Sequence, residues 1–457
     1  MTLPIAWTGR IESISQEGLG VGTIKTVQNG HNVKRPIFVP FTVPGDEVEA
    51  DILEQKRKYS FGQLKTIIAS SPKRVTPPCP HFGVCGGCNL EHIDYDEQLR
   101  QKAQQIQFLL TRKGVRLPRC VKVLAARQRH NYRRRAKIAL RFSGKDITAG
   151  FRKFHAHDIV QVKTCFIVAK EIVELISILN NTESSIGMAD SVEIELIVVV
   201  GDSKKLGLLV TLDDIAPQQQ RQVKEFFEEL YGRNRKLIGN LFFEENRTTK
   251  TSGQVQEHIT YKAGGITFSF LPQTFIQSNI AANETLIATA TEFLFRDRDA
   301  GECVVLDLYA GIGNISLPVA KKAKSVVAVE GHEASVLLGR INAYQNGLDN
   351  VLFLHRSTEK YLYEYVGMLR AGKPDDEYRE ADVAIIDPPR TGCTPEAVKS
   401  LLFTGLPRIL YISCNPVTLA VDLALLSEKY AISDIVAIDM FPDISHVETL
   451  VLLDKKA

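Results

Sequence analysis

The sequence predicts three structural parts in series: a small N-terminal β-barrel, a central α+β region carrying a cysteine cluster, and a C-terminal doubly wound α/β domain. Three observations predict them. Short β-rich runs divided by Gly and Pro-Gly turns fill residues 1–70, three cysteines crowd together just after them, and regular strand–helix alternation begins near residue 283. A chain of 457 residues is long enough for two or three domains.

The bulk composition excludes little. Apolar content of 44% and charged content of 24% are ordinary for a globular protein. No apolar run approaches the ~20 residues that cross a bilayer. The opening MTLPIAWTGRIESISQ has no basic flank, apolar core or small-residue cleavage site of the kind a signal peptide needs. A cytoplasmic protein without a membrane partner is expected. A net charge of +3 does not by itself imply a polyanionic partner, so the local distribution of charge matters more. In a large cytosolic chain, the eight cysteines are better explained by metal binding or catalysis than by disulfides.

The first part, residues 1–70, rests on GRIESISQEGLGVGTI, RPIFVPFTVPGDEVEADIL and SFGQLKTIIAS. About five short strands in this span suit a small barrel of the oligonucleotide-binding kind. The second part, residues 71–282, opens with the loop SPKRVTPPCPHFGVCGGCNLEHIDYDEQL and a helix from about Tyr95 to Lys113. Strands such as VEIELIVVV and KLGLLVTL follow, with helices near 168–180 and 216–230. The third part, residues 283–457, carries the strands CVVLDL, SVVAVE, NVLFLH, DVAIID, RILYIS, DIVAID and VETLVLL. Helices separate the first six, and the short MFPDISH joins the last two as an antiparallel hairpin. Seven mostly parallel strands covered on both faces make a Rossmann-like sheet.

The segment VVLDLYAGIGNISLPVA runs strand, glycine loop, helix. Gly311 and Gly313 let the backbone approach a ligand, and the helix beyond Asn314 offers free N–H groups. The loop lacks the third glycine of a dinucleotide fingerprint. Asp307 before the loop and Glu330 at the next strand end favour S-adenosylmethionine over NAD, the first facing an amino group and the second the ribose hydroxyls. The plainer alternative makes Asp307 a cap and Glu330 solvated.

Ligands of open α/β sheets bind outside the carboxyl ends of the strands. Three more segments reach that edge: IIDPPRTGC with Asp387 and Arg390, YISCNP with Cys414 and Asn415, and DMFPDISHVE with His446 and Glu448. A thiol beside a methyl donor has a defined use. Adding a thiolate to C6 of a pyrimidine makes C5 nucleophilic enough to take a methyl group, and a base then removes the C5 proton. Cys414 is the candidate nucleophile, Glu448 the base, and Asp387 a hydrogen-bond partner for N3–H or O4 of the ring. A free thiol with pKa ~8.5 is mostly protonated at neutral pH. The helix N-terminus opened by Asn415 and Pro416 is expected to favour its anion. Cys393 is the rival nucleophile, an inert buried Cys414 is the plain alternative, and His446 reads as a structural neighbour of Glu448.

The cluster is Cys79-x5-Cys85-x2-Cys88, with Cys165 lying 77 residues further on. Four thiolates suit zinc or an iron–sulfur cluster, and spacing alone does not separate the two. A basic stripe with Arg127, Arg129, Arg133, Arg134, Arg135, Lys137 and Arg141 carries interleaved His130 and Tyr132, and Arg152, Lys153 and Phe154 extend it. Phosphates and unpaired bases are its expected partners.

LDLYAGIGN, IIDPPRTG, YISCNP and DMFPDISHVE, in this order, resemble the RNA (uracil-5)-methyltransferases across nearly the whole chain. The resemblance implies a class I methyltransferase domain, with Cys414 as nucleophile, Glu448 as base and the DPPR aspartate at Asp387. FIQSN resembles the family's F-x-Q-x-N segment, which places Gln277 at cofactor or uracil. Departures are Tyr309-Ala310 where relatives often have Phe-Cys, and Ser278 where Val is frequent. CPHFGVCGGC resembles the site of the rRNA branch, which implies a [4Fe–4S] cluster on Cys79, Cys85, Cys88 and Cys165, acting as a structural staple. The barrel resembles a TRAM domain, an RNA-binding module. The implied substrate is a single-stranded or loop uridine of 23S rRNA, flipped out to reach the thiol. The expected substrate- or cofactor-binding residues are Gln277, Asp307, Tyr309, Gly311, Gly313, Asn314, Glu330 and Asp387. RNA is the expected partner, DNA is not, and the chain is expected to act as a monomer. The alternatives are methylation of tRNA, a radical methylthiotransferase, whose C-x3-C-x2-C and C-terminal TRAM this chain lacks, and a non-catalytic RNA-binding assembly factor.

Overall fold

A computed structural model of the chain describes residues 5–28, 31–183, 188–213, 215–245, 248–251, 259–373 and 375–457. The N-terminal strands are Ile5–Arg10, Ser13–Ile14, Gly20–Gln28, His31–Val39, Glu47–Gln55 and Ser60–Ala69. In space their order is first, fifth, sixth, fourth, third, second. The ladder between Glu47–Gln55 and Ser60–Ala69 shifts register at three points, and such bulges bend a sheet. The sheet curls around Trp7, Ile11, Ile24, Ile37, Val39, Val48 and Ala50. A Cβ at Gly9 or Gly22 would lie 2.4 Å from the Trp7 ring, so these two glycines make room for the indole across the curl.

The helix Tyr95–Arg112 starts at Asp94, whose side chain accepts from the Glu97 N–H. Its apolar residues do not pack within the central region. Ile106 and Leu110 are buried with Leu306, Val327 and Tyr411 of the C-terminal sheet and Leu419 of the helix Pro416–Leu426. A buried ion pair anchors this helix: Lys102 Nζ lies 2.6 Å from Asp439, with side chains 2% and 0% exposed. Removing one partner of such a pair destabilises a fold by ~3–5 kcal/mol.

The central sheet runs, in space, Ile159–Gln161, Asp146–Arg152, Arg135–Gly144, Met188–Val200, Leu206–Thr211, Ile238–Glu245, Thr248–Thr251. Helices Lys170–Asn180 and Pro217–Arg233 cover one face, where Leu196, Val198 and Val200 point. The alternate residues Ile197 and Val199 enter a different core, shared with Val305, Ile385 and Leu410 of the C-terminal sheet and with the hairpin Ile259–Ala263/Ile266–Phe270.

The C-terminal sheet orders its strands Val351–His355, Ser325–Glu330, Val304–Leu308, Val383–Ile386, Arg408–Ser413, Glu448–Lys455, Tyr430–Ile438, Val123–Leu124. All seven expected strands are present. The eighth comes from residues 123–124, which pair parallel to Tyr430–Ile438. The five leading strands are parallel, and the four inside the edge strand Val351–His355 are buried on both faces and therefore read as continuous apolar runs. Chain order reverses between Val304–Leu308 and Val383–Ile386, and their carboxyl ends open a crevice there.

Candidate active site

Asp387 directly follows the strand Val383–Ile386, and Cys414 directly follows the parallel strand Arg408–Ser413. Both side chains therefore leave the sheet at its carboxyl edge. Glu448 arrives there from the opposite direction, as the first residue of the antiparallel strand Glu448–Lys455. Ser413 pairs with Thr449, so Cys414 and Glu448 face each other one step beyond that pair. The turn that holds the thiol is tied down by Asn415. Its Oδ1 accepts from Val417 N at 3.1 Å, capping the helix Pro416–Leu426, and its Nδ2 donates to the Arg390 carbonyl at 2.8 Å. Gln16 of the N-terminal sheet also donates to that Oδ1, at 2.7 Å.

Burial pushes the Cys414 thiol up to about 11, and the nearby Glu448 and Asp387 carboxyls add to the shift. Arg390 and a backbone N–H pull the other way without winning. The helix terminus expected to favour the thiolate is thus outweighed by desolvation and two acidic neighbours. Glu448 is 3% exposed, and its carboxyl is held well above the usual range by burial and then by Asp387. Burial also raises Asp387 to about 7. Cys414 and Glu448 are therefore both held toward their protonated forms. His446 is lowered to about 4 by burial and then by the Arg390 charge, and its Nε2 sits 3.5 Å from the Arg390 guanidinium. Cys393 lies elsewhere: its sulfur is 3.5 Å from Tyr411 Oη, against the apolar core, and burial raises it to about 12.

Around the glycine loop, Asp307 is 2% exposed and accepts a short hydrogen bond from Ser316 Oγ. Burial raises its carboxyl to about 7 against that bond, with Asp387 and Glu330 adding to the rise. Glu330 spans the loop, accepting from Gly311 N at 2.9 Å and His332 N at 2.7 Å, which leaves lone pairs for a diol. Gly311 and Gly313 have φ of +55° and +90°, as the tight loop requires. Tyr309 also has positive φ, +63°, and its hydroxyl turns to Glu359 at 3.4 Å. Asn314 is locked to Asn283 by reciprocal amide bonds of 2.7 and 2.9 Å. The side chains of Tyr309 and Asn314 are thus engaged within the protein. The helix after the loop is short, Ser316–Ala320. Gln277 is buried, and among the described residues its amide has no hydrogen-bond partner, unlike that of Asn279, which donates to Met440 O at 3.0 Å.

The cysteine loop folds back on the central sheet. Gly86 N donates to Arg152 O at 2.9 Å, Phe154 N to Val84 O at 2.8 Å and Lys163 N to His81 Nε2 at 3.2 Å. The four cysteines are free thiols. Burial raises Cys79, Cys85 and Cys88, and each of these thiols feels Cys165 and Glu91 as electrostatic neighbours. Among the described residues, no group of three or more His, Cys, Asp or Glu surrounds the position of a single metal ion. Glu91 is raised to about 7 by burial and then by Asp443, and its Oε2 is buried without a partner.

The basic stripe is less free than its sequence suggests. Arg134 pairs with Asp202 at 2.6 Å, Lys137 with Glu195 at 2.7 Å and Arg141 with Glu193 at 3.0 Å, while Arg152 also pairs with Glu193. Tyr132 is 2% exposed and donates to Pro442 O at 3.0 Å, so it cannot stack on a base. Arg129 lies over the Tyr95 ring and reaches Asp443 at 3.4 Å. Arg127 and Lys153 are exposed. Gln16 and Asn89 are the residues that local sequence reading misses, because their contacts span 399 and 356 positions.

Residues 94–456 match the family model described as tRNA (uracil-5-)-methyltransferase, and residues 7–72 match the TRAM domain of tRNA (uracil(54)-C(5))-methyltransferase. The chain is 32% identical over 450 residues to the 23S rRNA (uracil(1939)-C(5))-methyltransferase of Yersinia enterocolitica, covering 97% of this chain and 94% of that one. It is 33% identical over 446 residues to the enzyme of the same name from an Enterobacter species, covering 97% and 95%. The crystal structure of Pyrococcus abyssi tRNA (uracil-54, C5)-methyltransferase with S-adenosyl-L-homocysteine shares the fold at a TM-score of 0.67 and 23% identity, over 98% of this chain and 100% of that one. With the family model spanning most of its length and relatives above 30% identity along nearly all of it, the chain belongs to the tRNA (uracil-5-)-methyltransferase family.

Proposed function

We propose that the chain methylates C5 of a uridine in 23S rRNA, with S-adenosylmethionine as donor, Cys414 as nucleophile and Glu448 as base. The observation that carries the reading is the opposition of Cys414 and Glu448 at the end of one ladder, on the rim that also holds Asp387. S-adenosylmethionine supplies an electrophilic methyl group. Cys414 gives up its proton to solvent and its thiolate bonds to C6; the C5–C6 electron pair becomes available at C5, which takes the methyl as the donor's S–CH3 bond breaks and S-adenosylhomocysteine leaves. Glu448, ionised by loss of its resting proton to solvent, then accepts the C5 proton, the double bond re-forms and the sulfur leaves as thiolate. Asp387 bonds the N3–H or O4 edge of the ring, and Gln277 offers a buried amide to cofactor or base. Asp307 and Glu330 hold the amino and ribose groups of the donor, and the Tyr309–Asn314 loop contributes its backbone.

The rRNA preference rests on the names of relatives at 32–33% identity along nearly the whole chain. The experiment is a trap: purified protein, S-adenosylmethionine and 23S rRNA or tRNA fragments carrying 5-fluorouridine, which has no C5 proton to lose. A covalent complex with the 23S fragment alone supports the reading. A complex with tRNA alone moves the substrate, and no complex with either contradicts the chemistry.

Cys79, Cys85, Cys88 and Cys165 fit a [4Fe–4S] cluster. Cys79, Cys85 and Cys88 are raised by burial, have Cys165 and Glu91 as charged neighbours and face no cation among the groups that shift them, so positive iron would relieve their anions. Thiolates sharing one zinc at ~2.3 Å bonds would have to crowd more closely. The bound cluster would staple the loop to the central sheet. Cys85→Ala removes the brown absorbance of the purified protein if this holds, and an unchanged spectrum excludes it. RNA is the partner, the site of action is the cytoplasm, and the chain acts as a monomer.

A further inference from the structure

We propose that Asn89, beside Cys88 in the cysteine loop, is a positioning residue for the general base, and this rests on Glu448 acting as that base. Glu448 begins its strand, so the ladder holds it from one side only, and the segment Asp443–Val447 that leads into it has no sheet partner. Asn89 supplies the missing support. Its Oδ1 accepts from Ser445 N at 2.9 Å, and its Nδ2 lies 3.1 Å from Ser445 Oγ and 2.8 Å from the Glu17 carbonyl of the N-terminal sheet. The backbone N–H groups of Asn89 and Leu90 both donate to Asp443 O, at 3.2 and 3.0 Å.

One amide thus joins three parts of the chain within three residues of Glu448. The turn on the other side is shaped to admit it. Gly18 has φ of +78°, and a Cβ there would lie 2.4 Å from Asn89 Nδ2, so a side chain at residue 18 would displace the amide. The same turn sends Gln16 to Asn415, beside the nucleophile. Asp443 itself has φ of +65°, a conformation that needs outside support, and Gln98 exchanges two bonds with it at 2.9 and 3.1 Å. Asn89 touches neither substrate nor the reacting atoms. It sets where the base lies, and a base out of place slows proton removal after the methyl group has moved.

The test uses the full-length Asn89→Ala protein, S-adenosylmethionine and ordinary uridine RNA. Turnover falls roughly tenfold while KM for RNA stays within about twofold, as expected when a catalytic group is displaced without loss of binding. The fraction of enzyme in a denaturant-stable RNA adduct rises, because bond formation at C6 and methyl transfer proceed while release lags. Ser445→Ala, which keeps the N–H bond and loses the hydroxyl, shifts the adduct fraction in the same direction by less. It carries the test if Asn89→Ala does not fold. An adduct fraction at the wild-type level, or a parallel fall of adduct and turnover, overturns the proposal. The wild-type protein is trapped with 5-fluorouridine RNA in parallel, and failure there sinks the underlying chemistry instead.

Discussion

Two regions hold half-buried thiols, and their surroundings differ. At the catalytic rim a single sulfur, Cys414, is opposed by Glu448 and Asp387 and relieved in part by Arg390. In the cysteine loop, burial, Glu91 and neighbouring thiols all push Cys79, Cys85 and Cys88 the same way, and only backbone N–H groups relieve two of them. The first arrangement suits a thiolate formed briefly, when a ring carbon is ready to take its electrons. The second suits, on the reading proposed for the loop, thiolates held by a cation. Desolvation therefore serves both sites, and the neighbouring charges decide the chemistry.

The largest effect that tests this contrast is loss of the single sulfur. Cys414→Ser lowers methyl transfer by at least about a thousandfold, because the covalent step is lost rather than slowed. Cys393→Ser, by contrast, leaves the rate within about twofold when methyl incorporation is counted. Glu448→Gln comes next. Turnover falls ~100- to 10,000-fold, and the adduct with ordinary uridine RNA accumulates on denaturing gels, since the C5 proton has no acceptor. Replacing Cys85 by Ser removes visible absorbance and lowers the melting temperature, but wild-type adduct chemistry persists in whatever fraction stays folded.

A smaller effect separates the two regions by pH. Asp307 and Asp387 at the rim and Glu91 in the loop are each raised to about 7, while His92 and His446 are lowered to about 4. A carboxyl raised on folding stabilises fully below its unfolded pKa and loses that contribution as pH rises through about 7. The lowered histidines act oppositely, but only between about 4 and 6.5. From pH 6.5 upward the carboxyls act alone, so the ligand-free protein melts at lower temperature as pH rises to 8. Asp387→Asn and Glu91→Gln should each flatten that slope, measured by calorimetry. If neither does, the charges assigned to the two regions are misplaced. The smallest effect concerns RNA grip. Lys137→Ala, which breaks an exposed ion pair, changes RNA affinity by less than about threefold, whereas Arg127→Ala lowers the salt slope of binding by roughly one.

Much of the catalytic rim was legible because strand ends are local. DPPR, SCNP and HVE each sit where an apolar run stops, and a parallel sheet brings such stops to one edge. The helix Tyr95–Arg112 was legible as an element, but not as a partner of the C-terminal sheet, and the strand Val123–Leu124 was not legible at all. That helix buries Gln98, Gln101 and Lys102, so its polar face does not mark solvent, and a two-residue strand has no periodicity to read. The basic stripe misled for a related reason. The acids that neutralise Arg134, Lys137 and Arg141 lie more than fifty positions away in sequence, on a neighbouring strand and the turn after it. The amide contacts of Gln16 and Asn89 cross the whole chain, so only the folded protein reveals them.

The most direct measurement is the attachment point of the trapped RNA. Protein held with 5-fluorouridine RNA and S-adenosylmethionine is digested, and the peptide carrying the nucleotide is sequenced by mass spectrometry. The account predicts one modified peptide, with the nucleotide on Cys414. Attachment at Cys393, at a cysteine of the loop, or at no cysteine would contradict it.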